Sequence, residues 1–388
     1  MYLGVISRRR YVVVLVVLMS LFYFLEVALR DSHSLSPNSE DTMMSPLVDQ
    51  EAAVAPPNTV VPPGVTDETG VGGARPRANA TLLMLARNSD LAGAISSVSQ
   101  MEERFNQHYN YPWVFLNEEP FTEEFKSNMT KLTKASVSFG LVPKENWLQP
   151  DWVNETLATE GRNKMVAQNI IYAESVPYRN MCRFNSGFFF HHPLLQPYRY
   201  YWRVEPDISY SCDIMSDPFW FMEENDKIYG FTISFYEWEP TIPTLWSNVK
   251  EFIAKHPQYI ADDNAMAYLS DDGGETYNLC HFWSNFEIAD MSFWRGEAYQ
   301  AFFAFLEAKG GFYYERWGDA PVHSIAAALF APRHRLHFFS DIGYRHEPFQ
   351  HCPQSAAEYE RGRCTCDQKD AIDFRQQSCI PRFQRLFA

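Results

Sequence analysis

Three consecutive stretches decide the fold: ATLLMLAR at Ala80–Arg87, LAGAISSVSQMEERFN at Leu91–Asn106, and YPWVFLN at Tyr111–Asn117. The first is a continuous apolar run of strand length. It ends on Arg87-Asn-Ser-Asp90, where Asn, Ser and Asp signal a turn and a helix N-cap. The second repeats its apolar residues at helical spacing, and the third is again a short apolar run. Strand, helix, strand in that order implies a right-handed crossover and a parallel sheet.

Further strands are expected in RYYWRVEPD (Arg199–Asp207) and KIYGFTISFY (Lys227–Tyr236). Helices are expected in TIPTLWSNVKEFIAKHP (Thr241–Pro257), in EAYQAFFAFLEAKG (Glu297–Gly310), which a Gly pair ends, and over Val322–Leu329. No internal repeat is visible. The pattern predicts an α/β fold, with a mixed sheet in one catalytic domain and ligands at the carboxyl ends of strands.

Outside that domain the composition changes. Arg8, Arg9 and Arg10 precede an apolar run from Tyr11 to Leu25 that continues past Glu26 through Leu29. This approaches the roughly 20 residues that span a bilayer and lacks a cleavage signal, so residues 11–29 read as an uncleaved anchor. Positive charge stays on the cytoplasmic side, which leaves residues 1–10 as a cytoplasmic tail and the bulk of the chain lumenal. Residues 30–78, with PPNTVVPPG at their centre, carry no helical or strand period and read as a disordered stem. The catalytic domain is then 79–388.

Two features agree with a secretory compartment. Asn79, Asn128 and Asn154 open N-glycosylation sequons, and there are seven cysteines. Cys364-Thr-Cys366 lacks the second Cys or His pair of a zinc finger, so a disulfide framework is expected, with at least one cysteine left free or paired intermolecularly. The formal net charge of −15 argues against a nucleic-acid partner. No Walker P-loop or G-x-G-x-x-G motif is present, which removes the usual support for nucleotide hydrolysis and dinucleotide redox chemistry. Most of the aromatic residues belong in a core, although Trp283 and Trp317 are candidates for flat faces against a sugar ring.

The chemistry-bearing candidates are few. Arg203-Val-Glu205-Pro-Asp207 runs an aromatic strand into two carboxylates, with Pro206 fixing the backbone between them. Such a strand end suits Mg²⁺ or Mn²⁺ bridged to a diphosphate, or else a turn in which Arg203 neutralises the acids. His346, in GYRHEPFQHCP, is either a manganese ligand or a hydrogen-bonded surface residue; His191, His192 and His351 have weaker support. Glu287, between Phe286 and Ile288, is expected to be partly buried, either as a catalytic carboxylate or as the structural partner of an arginine. The segment from Tyr178 to Gly187 supplies Arg183, Asn185 and other donors suited to phosphate or sugar hydroxyls.

In one order along the chain, YRNMCRFNSGFFF, YWRVEPDISYSCDI, CHFWSNFEIAD, GGFYYERWGDAPVHSIA and DIGYRHEPFQHCP closely resemble the fungal Kre2/Mnt1-type α-1,2-mannosyltransferases, glycosyltransferase family 15. The resemblance spans essentially Ala80 to Cys352. It implies a GT-A-like fold, one catalytic domain with a mixed, mainly parallel sheet flanked by helices. It also implies a Golgi type II membrane protein that uses GDP-mannose and Mn²⁺ to extend mannoside acceptors on glycoproteins with retained α configuration. By the same resemblance Glu205 and His346 are the metal ligands, Glu287 the nucleophilic carboxylate and Tyr178 an active-site tyrosine. Arg87, Arg183, Asn185 and Asp207 fall on the donor side. A lectin-like or scaffolding protein that kept the fold and lost catalysis is the competing reading, and intact metal and catalytic residues count against it.

Overall fold

The computed structural model describes residues 76–388. The expected tail, anchor and nearly all of the expected stem lie outside the described residues. Among the described residues no helix is long and apolar enough to cross a membrane.

Along the chain the strands are β1 (Ala80–Leu85), β2 (Trp113–Asn117), β3 (Val137–Leu141), β4 (Tyr200–Arg203), β5 (Ser209–Tyr210), β6 (Tyr229–Phe231), β7 (Ser234–Tyr236), β8 (Cys280–Phe282), β9 (Glu287–Asp290), β10 (Leu336–Phe338), β11 (Tyr344–His346) and β12 (Phe349–His351). Seven of them form one sheet in the order β10-β6-β9-β4-β1-β2-β3. Every pairing in it is parallel except the two made by β9, which runs antiparallel to β4 and to β6. β12-β11-β5 and β7-β8 make two smaller antiparallel sheets.

The central strands of the large sheet are buried on both faces, which is why β1 and β2 read as unbroken apolar runs. One face carries Leu83, Val114, Leu116, Tyr201, Phe231 and Ala289 in a core with Val249, Phe302 and Leu329 from the helices Leu245–Lys255, Glu297–Lys309 and Asp319–Phe330. The other carries Leu82, Met84, Trp113, Phe115, Trp202 and Ile288 against Val98, Met101 and Phe125 of the helices Leu91–Met101 and Glu123–Leu132. Each fully buried Val, Leu, Ile, Phe or Met among them contributes about 1.5–3 kcal/mol of transfer free energy.

Three local expectations change. The first helix is α-helical only over Leu91–Met101, and Glu102–Asn106 widens into a π turn. Polar side chains stabilise the widening: Glu102 Oε1 accepts from Asn106 Nδ2 at 2.6 Å and from the Trp113 indole at 2.7 Å, while Asn106 Oδ1 accepts from the Tyr111 amide. KIYGFTISFY is not one strand. It breaks after Phe231, so β6 stays in the large sheet and β7 leaves to pair with β8. Trp317 is wholly buried and donates its indole N–H to Glu315, so it is a core residue and offers no open face.

Disulfides join Cys212 to Cys364, Cys280 to Cys379 and Cys352 to Cys366, leaving Cys182 as a buried thiol. Cys212 lies two residues past β5 and Cys352 one past β12. The small β12-β11-β5 sheet is therefore stapled at both edges to the segment 364–366. A buried contact repeats the tie, with His351 Nδ1 at 2.7 Å from Asp373 Oδ1.

Candidate active site

β1 leads to β2 and β3 on one side and has β4 on the other. The strand order thus reverses between β1 and β4, a switch point at whose carboxyl ends α/β sheets bind ligands. Arg87 follows β1, and Glu205-Pro-Asp207 follows β4. β5, two residues past Asp207, pairs antiparallel with β11, Tyr344 opposite Tyr210 and Arg345 opposite Ser209. One step further in that register sets His346 level with Ile208. A distant loop histidine is thereby carried to the acidic strand end, with its ring 5.1 Å from the partly open Trp283.

His346 Nδ1 lies 3.1 Å from the carbonyl oxygen of Glu347. A carbonyl can only accept, so Nδ1 donates to it, and in the neutral ring this leaves the Nε2 lone pair for a metal. The side chain of Glu205 is 21% exposed, and its Oε1 accepts from Arg203 Nε at 2.6 Å. No cluster of three or more potential metal-ligating side chains occurs among the described residues. Glu205 and His346 could supply two ligands to a cation that takes the rest of its shell from water and a diphosphate. A hard carboxylate with an imidazole fits manganese better than magnesium.

Arg203 holds the centre of a charged layer. Its Nη1 donates to Asp319 Oδ2 at 2.6 Å, and Ser284 Oγ donates to the same oxygen at 2.8 Å. Burial opposes the guanidinium's charge, but Glu205, Asp319 and Glu287 outweigh it and raise its proton affinity. Asp319 is the mirror case. Burial would raise its carboxyl, and the charges of Arg203 and His323 bring it below the ordinary range. Arg203 therefore neutralises Glu205 and Asp319. Asp207 lies elsewhere: it takes φ +60°, and its carboxylate packs against Gly93 in the first turn of the helix Leu91–Met101. A Cβ at Gly93 would stand 2.5 Å from Asp207 Oδ1, so only glycine admits the acid there. A carboxylate beside the first turn also complements the helix dipole.

Glu287 begins β9 with its Cα opposite that of Arg203. It is completely buried, at 0% exposure, where partial burial was expected. Its partners are not an arginine: Oε1 accepts from the Tyr201 hydroxyl at 2.6 Å, and Oε2 lies 3.0 Å from both the Tyr229 hydroxyl and His323 Nδ1. Burial, then the charge of Glu287, pushes both tyrosines well above their ordinary range, so they remain donors.

The helix Val176–Gly187 walls the same region. Tyr178 is half-buried, stacks on Tyr172 with centroids 4.4 Å apart, and lies under the Arg316 guanidinium at 5.2 Å. Burial, then Cys182, raises its hydroxyl. Arg183 donates to Glu307 at 2.5 and 2.8 Å and to the carbonyls of Asn146 and Leu148. Asn185 donates its side-chain amide toward Met181 Sδ, and its backbone carbonyl faces His323 Nε2 at 3.0 Å. Arg87 is 53% exposed, 3.5 Å from Glu118.

The structure thus brings Glu205, Glu287 and Asn185 into one network through Arg203, Asp319 and His323. Asp207, Arg183 and Arg87 make separate contacts. Sequence reading passed over Asp319, His323, Tyr201 and Tyr229. Asp319 and His323 sit four apart in GDAPVHS, a spacing that places two polar groups on one face of an otherwise apolar helix. Two surface cavities, about 190 and 80 Å³, lie apart from this network, lined by residues such as Asp213, Arg361, Phe221 and His337.

A mixed α/β sheet of this kind, flanked by helices, is the fold of the glycosyltransferases that the chain matches. Residues 34–387 match the family described as glycolipid 2-alpha-mannosyltransferase, and the chain belongs to that family. It is 53% identical over 300 residues to the glycolipid 2-alpha-mannosyltransferase of Saccharomyces cerevisiae, covering 77% of this chain and 68% of that one. It is 52% identical over 307 residues to glycolipid 2-alpha-mannosyltransferase 2 of Candida albicans, covering 79% and 67%. Among solved structures it resembles the mannosyltransferase Ktr4p of S. cerevisiae in complex with GDP, with a TM-score of 0.76, 44% identity, and 80% and 82% of the two chains covered. Core-mannan synthase A of Aspergillus fumigatus, in its Mn/GDP form, also matches at a TM-score of 0.76, with 40% identity and 89% and 93% covered.

Proposed function

We propose that this protein is a retaining, Mn²⁺-dependent α-1,2-mannosyltransferase that moves mannose from GDP-mannose to mannoside acceptors on O- or N-linked glycans of cell-wall glycoproteins. The observation that carries the reading is the β5–β11 register, which sets His346 level with Ile208 just past the acidic end of β4, with His346 Nδ1 donating to the Glu347 carbonyl. Relatives solved with GDP and with Mn/GDP support the donor and the ion. Glu205 and His346 hold the metal, which when bound supplies Lewis-acid stabilisation of the diphosphate's growing charge. Arg87, exposed at the end of β1, is assigned to the phosphates. Asp207, Arg183 and Asn185 are assigned supporting parts, because their side chains already engage Gly93, Glu307 and Met181. Tyr178, half-open beside Arg316, borders the sugar.

In this reading the C1–O bond to the β-phosphate breaks with its electron pair left on the phosphate oxygen. The acceptor hydroxyl oxygen bonds to C1 on the same face, and its proton passes to the departing phosphate. A transition state of this kind carries positive charge on the sugar, which the Glu287 carboxylate stabilises. The burial of Glu287 under two tyrosines and a histidine favours this charge role over direct attack on C1. Trapping a mannosyl adduct on Glu287 would reinstate double displacement.

The decisive assay incubates the purified chain with labelled GDP-mannose and methyl α-mannoside, with and without Mn²⁺, and digests the product with an α-1,2-specific mannosidase. No transfer under either condition overturns the proposal. We also propose a Golgi type II topology with residues 11–29 as the anchor and the catalytic domain in the lumen. Three disulfides support an oxidising compartment. Digestion of the domain by protease added to sealed microsomes would contradict it.

A further inference from the structure

His323 is wholly buried on the helix Asp319–Phe330, one turn after Asp319. Its two ring nitrogens face two acceptors. Nε2 lies 3.0 Å from the Asn185 carbonyl, which has no proton to offer, so Nε2 must carry one. Nδ1 lies 3.0 Å from Glu287 Oε2, and that contact also needs a proton. Either an imidazolium faces a carboxylate, or a neutral ring faces a carboxylic acid.

The surroundings choose between them. The Tyr201 hydroxyl oxygen already accepts from the Trp294 indole at 3.1 Å, so its own proton points at Glu287 Oε1, 2.6 Å away. With Tyr229 on Oε2, hydroxyl donors cover both oxygens, an arrangement that favours the anion. The Trp294 ring stacks on the His323 ring with centroids 4.4 Å apart and planes 22° apart, which favours a cation there. The charged and titratable groups facing the pair are Arg203 and Tyr201 from β4, Tyr229 from β6, Asp319 from the same helix and Tyr299 from the helix Glu297–Lys309. Asp319 draws positive charge toward His323, and Arg203 draws negative charge toward Glu287.

We propose that His323 is a standing imidazolium, locked between Glu287 and the Asn185 carbonyl, and that its proton keeps Glu287 an anion beneath the reacting sugar. His323 is then a positioning residue for mannosyl transfer, acting through Glu287. The inference rests on the charge role given above to Glu287, and its two halves are tested separately.

The proton is tested on the wild-type full chain labelled with ¹⁵N-histidine. Both His323 nitrogens should give protonated-imidazole resonances that stay unchanged from pH 6 to pH 8. An unprotonated Nδ1 in that range overturns the proposal without reference to activity. The role is tested with His323→Gln, whose amide can replace one hydrogen bond but not the charge. Turnover should fall on the order of 10- to 100-fold with little change in KM for GDP-mannose. The acid limb of the kcat profile should also move to higher pH, because Glu287 without its countercharge takes up a proton more readily. The double variant Glu287→Gln/His323→Gln should be no slower than Glu287→Gln alone. A profile parallel to the wild type, or losses that multiply in the double variant, would show a packing role only. Protonated nitrogens with normal turnover in Glu287→Gln would refute the Glu287 reading, and the positioning role with it. If His323→Gln does not fold, the wild-type resonances still decide where the proton lies.

Discussion

Glu205 and Glu287 lie on either side of one arginine yet live in opposite surroundings. Glu205 follows the open end of β4, half-buried, with Arg203 on one oxygen. Glu287 starts β9 opposite the same arginine and is sealed under Tyr201, Tyr229 and His323. The difference separates two tasks that need opposite environments. A metal ligand must exchange partners as donor and product come and go, so it belongs at an accessible strand end. A fixed countercharge is strongest where water is excluded and its donors are already oriented.

The largest break in this comparison should come from Glu287→Gln. The substituted amide can donate to a neutral His323 Nδ1 and to the Tyr229 hydroxyl oxygen while its own oxygen accepts from Tyr201, so the three contacts persist after the loss of one proton, that to Tyr229 with its direction reversed. The chain should fold with nearly unchanged thermal stability, while kcat falls by about 10³-fold or more, as for loss of an electrostatic stabiliser. Normal turnover would reduce Glu287 to a core carboxylate.

Asp319→Asn comes next, measured as stability. It leaves Arg203 buried with one carboxylate fewer, and removing a partner from a buried pair costs about 3–5 kcal/mol. The pH dependence has a definite sign. The Asp319 carboxyl is held below its ordinary value in the folded state, so its contribution is full above about pH 4 and is lost as pH falls through the depressed folded value. Denaturant titrations at pH 7 and pH 3 should show the wild type losing more stability on acidification than Asp319→Asn does. Equal losses would mean that the ion pair is not what stabilises the layer.

Glu205→Gln and His346→Ala should act on the ion. Activity at low Mn²⁺ should fall about 10- to 100-fold and recover in part as Mn²⁺ is raised, the behaviour of weakened coordination. Glu287→Gln should not respond to added metal at all. Metal rescue of all three variants, or of none, would erase the division between the two carboxylates.

The large sheet was readable because burial on both faces leaves a simple trace, continuous apolar runs at ATLLML and WVFLN. The short pairings were not. β5 and β11 have two and three residues, and what aligns them is a cross-chain register reinforced by disulfides, not any local period. The same holds for the site. Glu205 announces itself by standing next to Pro206 and Asp207, but the partners of Glu287 come from positions 201, 229 and 323, which meet only after β4, β9 and β6 are laid side by side. Burial of Glu287 was underestimated because Phe286 and Ile288 point to the opposite face from the carboxylate, so their hydrophobicity says little about what covers it.

Arg87→Ala should give the smallest effect and sharpen the accessible side of the comparison. Arg87 is half-exposed and 3.5 Å from Glu118, an ion pair whose loss should change stability by less than about 1 kcal/mol. Its position is different in kind from that of Arg183, whose guanidinium is enclosed by Glu307 and two carbonyls. Exposed at the end of β1 and only loosely paired with Glu118, Arg87 can neutralise a phosphate without leaving a buried partner. Arg87→Ala should therefore raise KM for GDP-mannose several-fold, leave kcat within about twofold, and make binding less sensitive to ionic strength. An unchanged KM, with its salt dependence intact, would move the diphosphate away from β1 and leave the metal pair as the main hold on the donor.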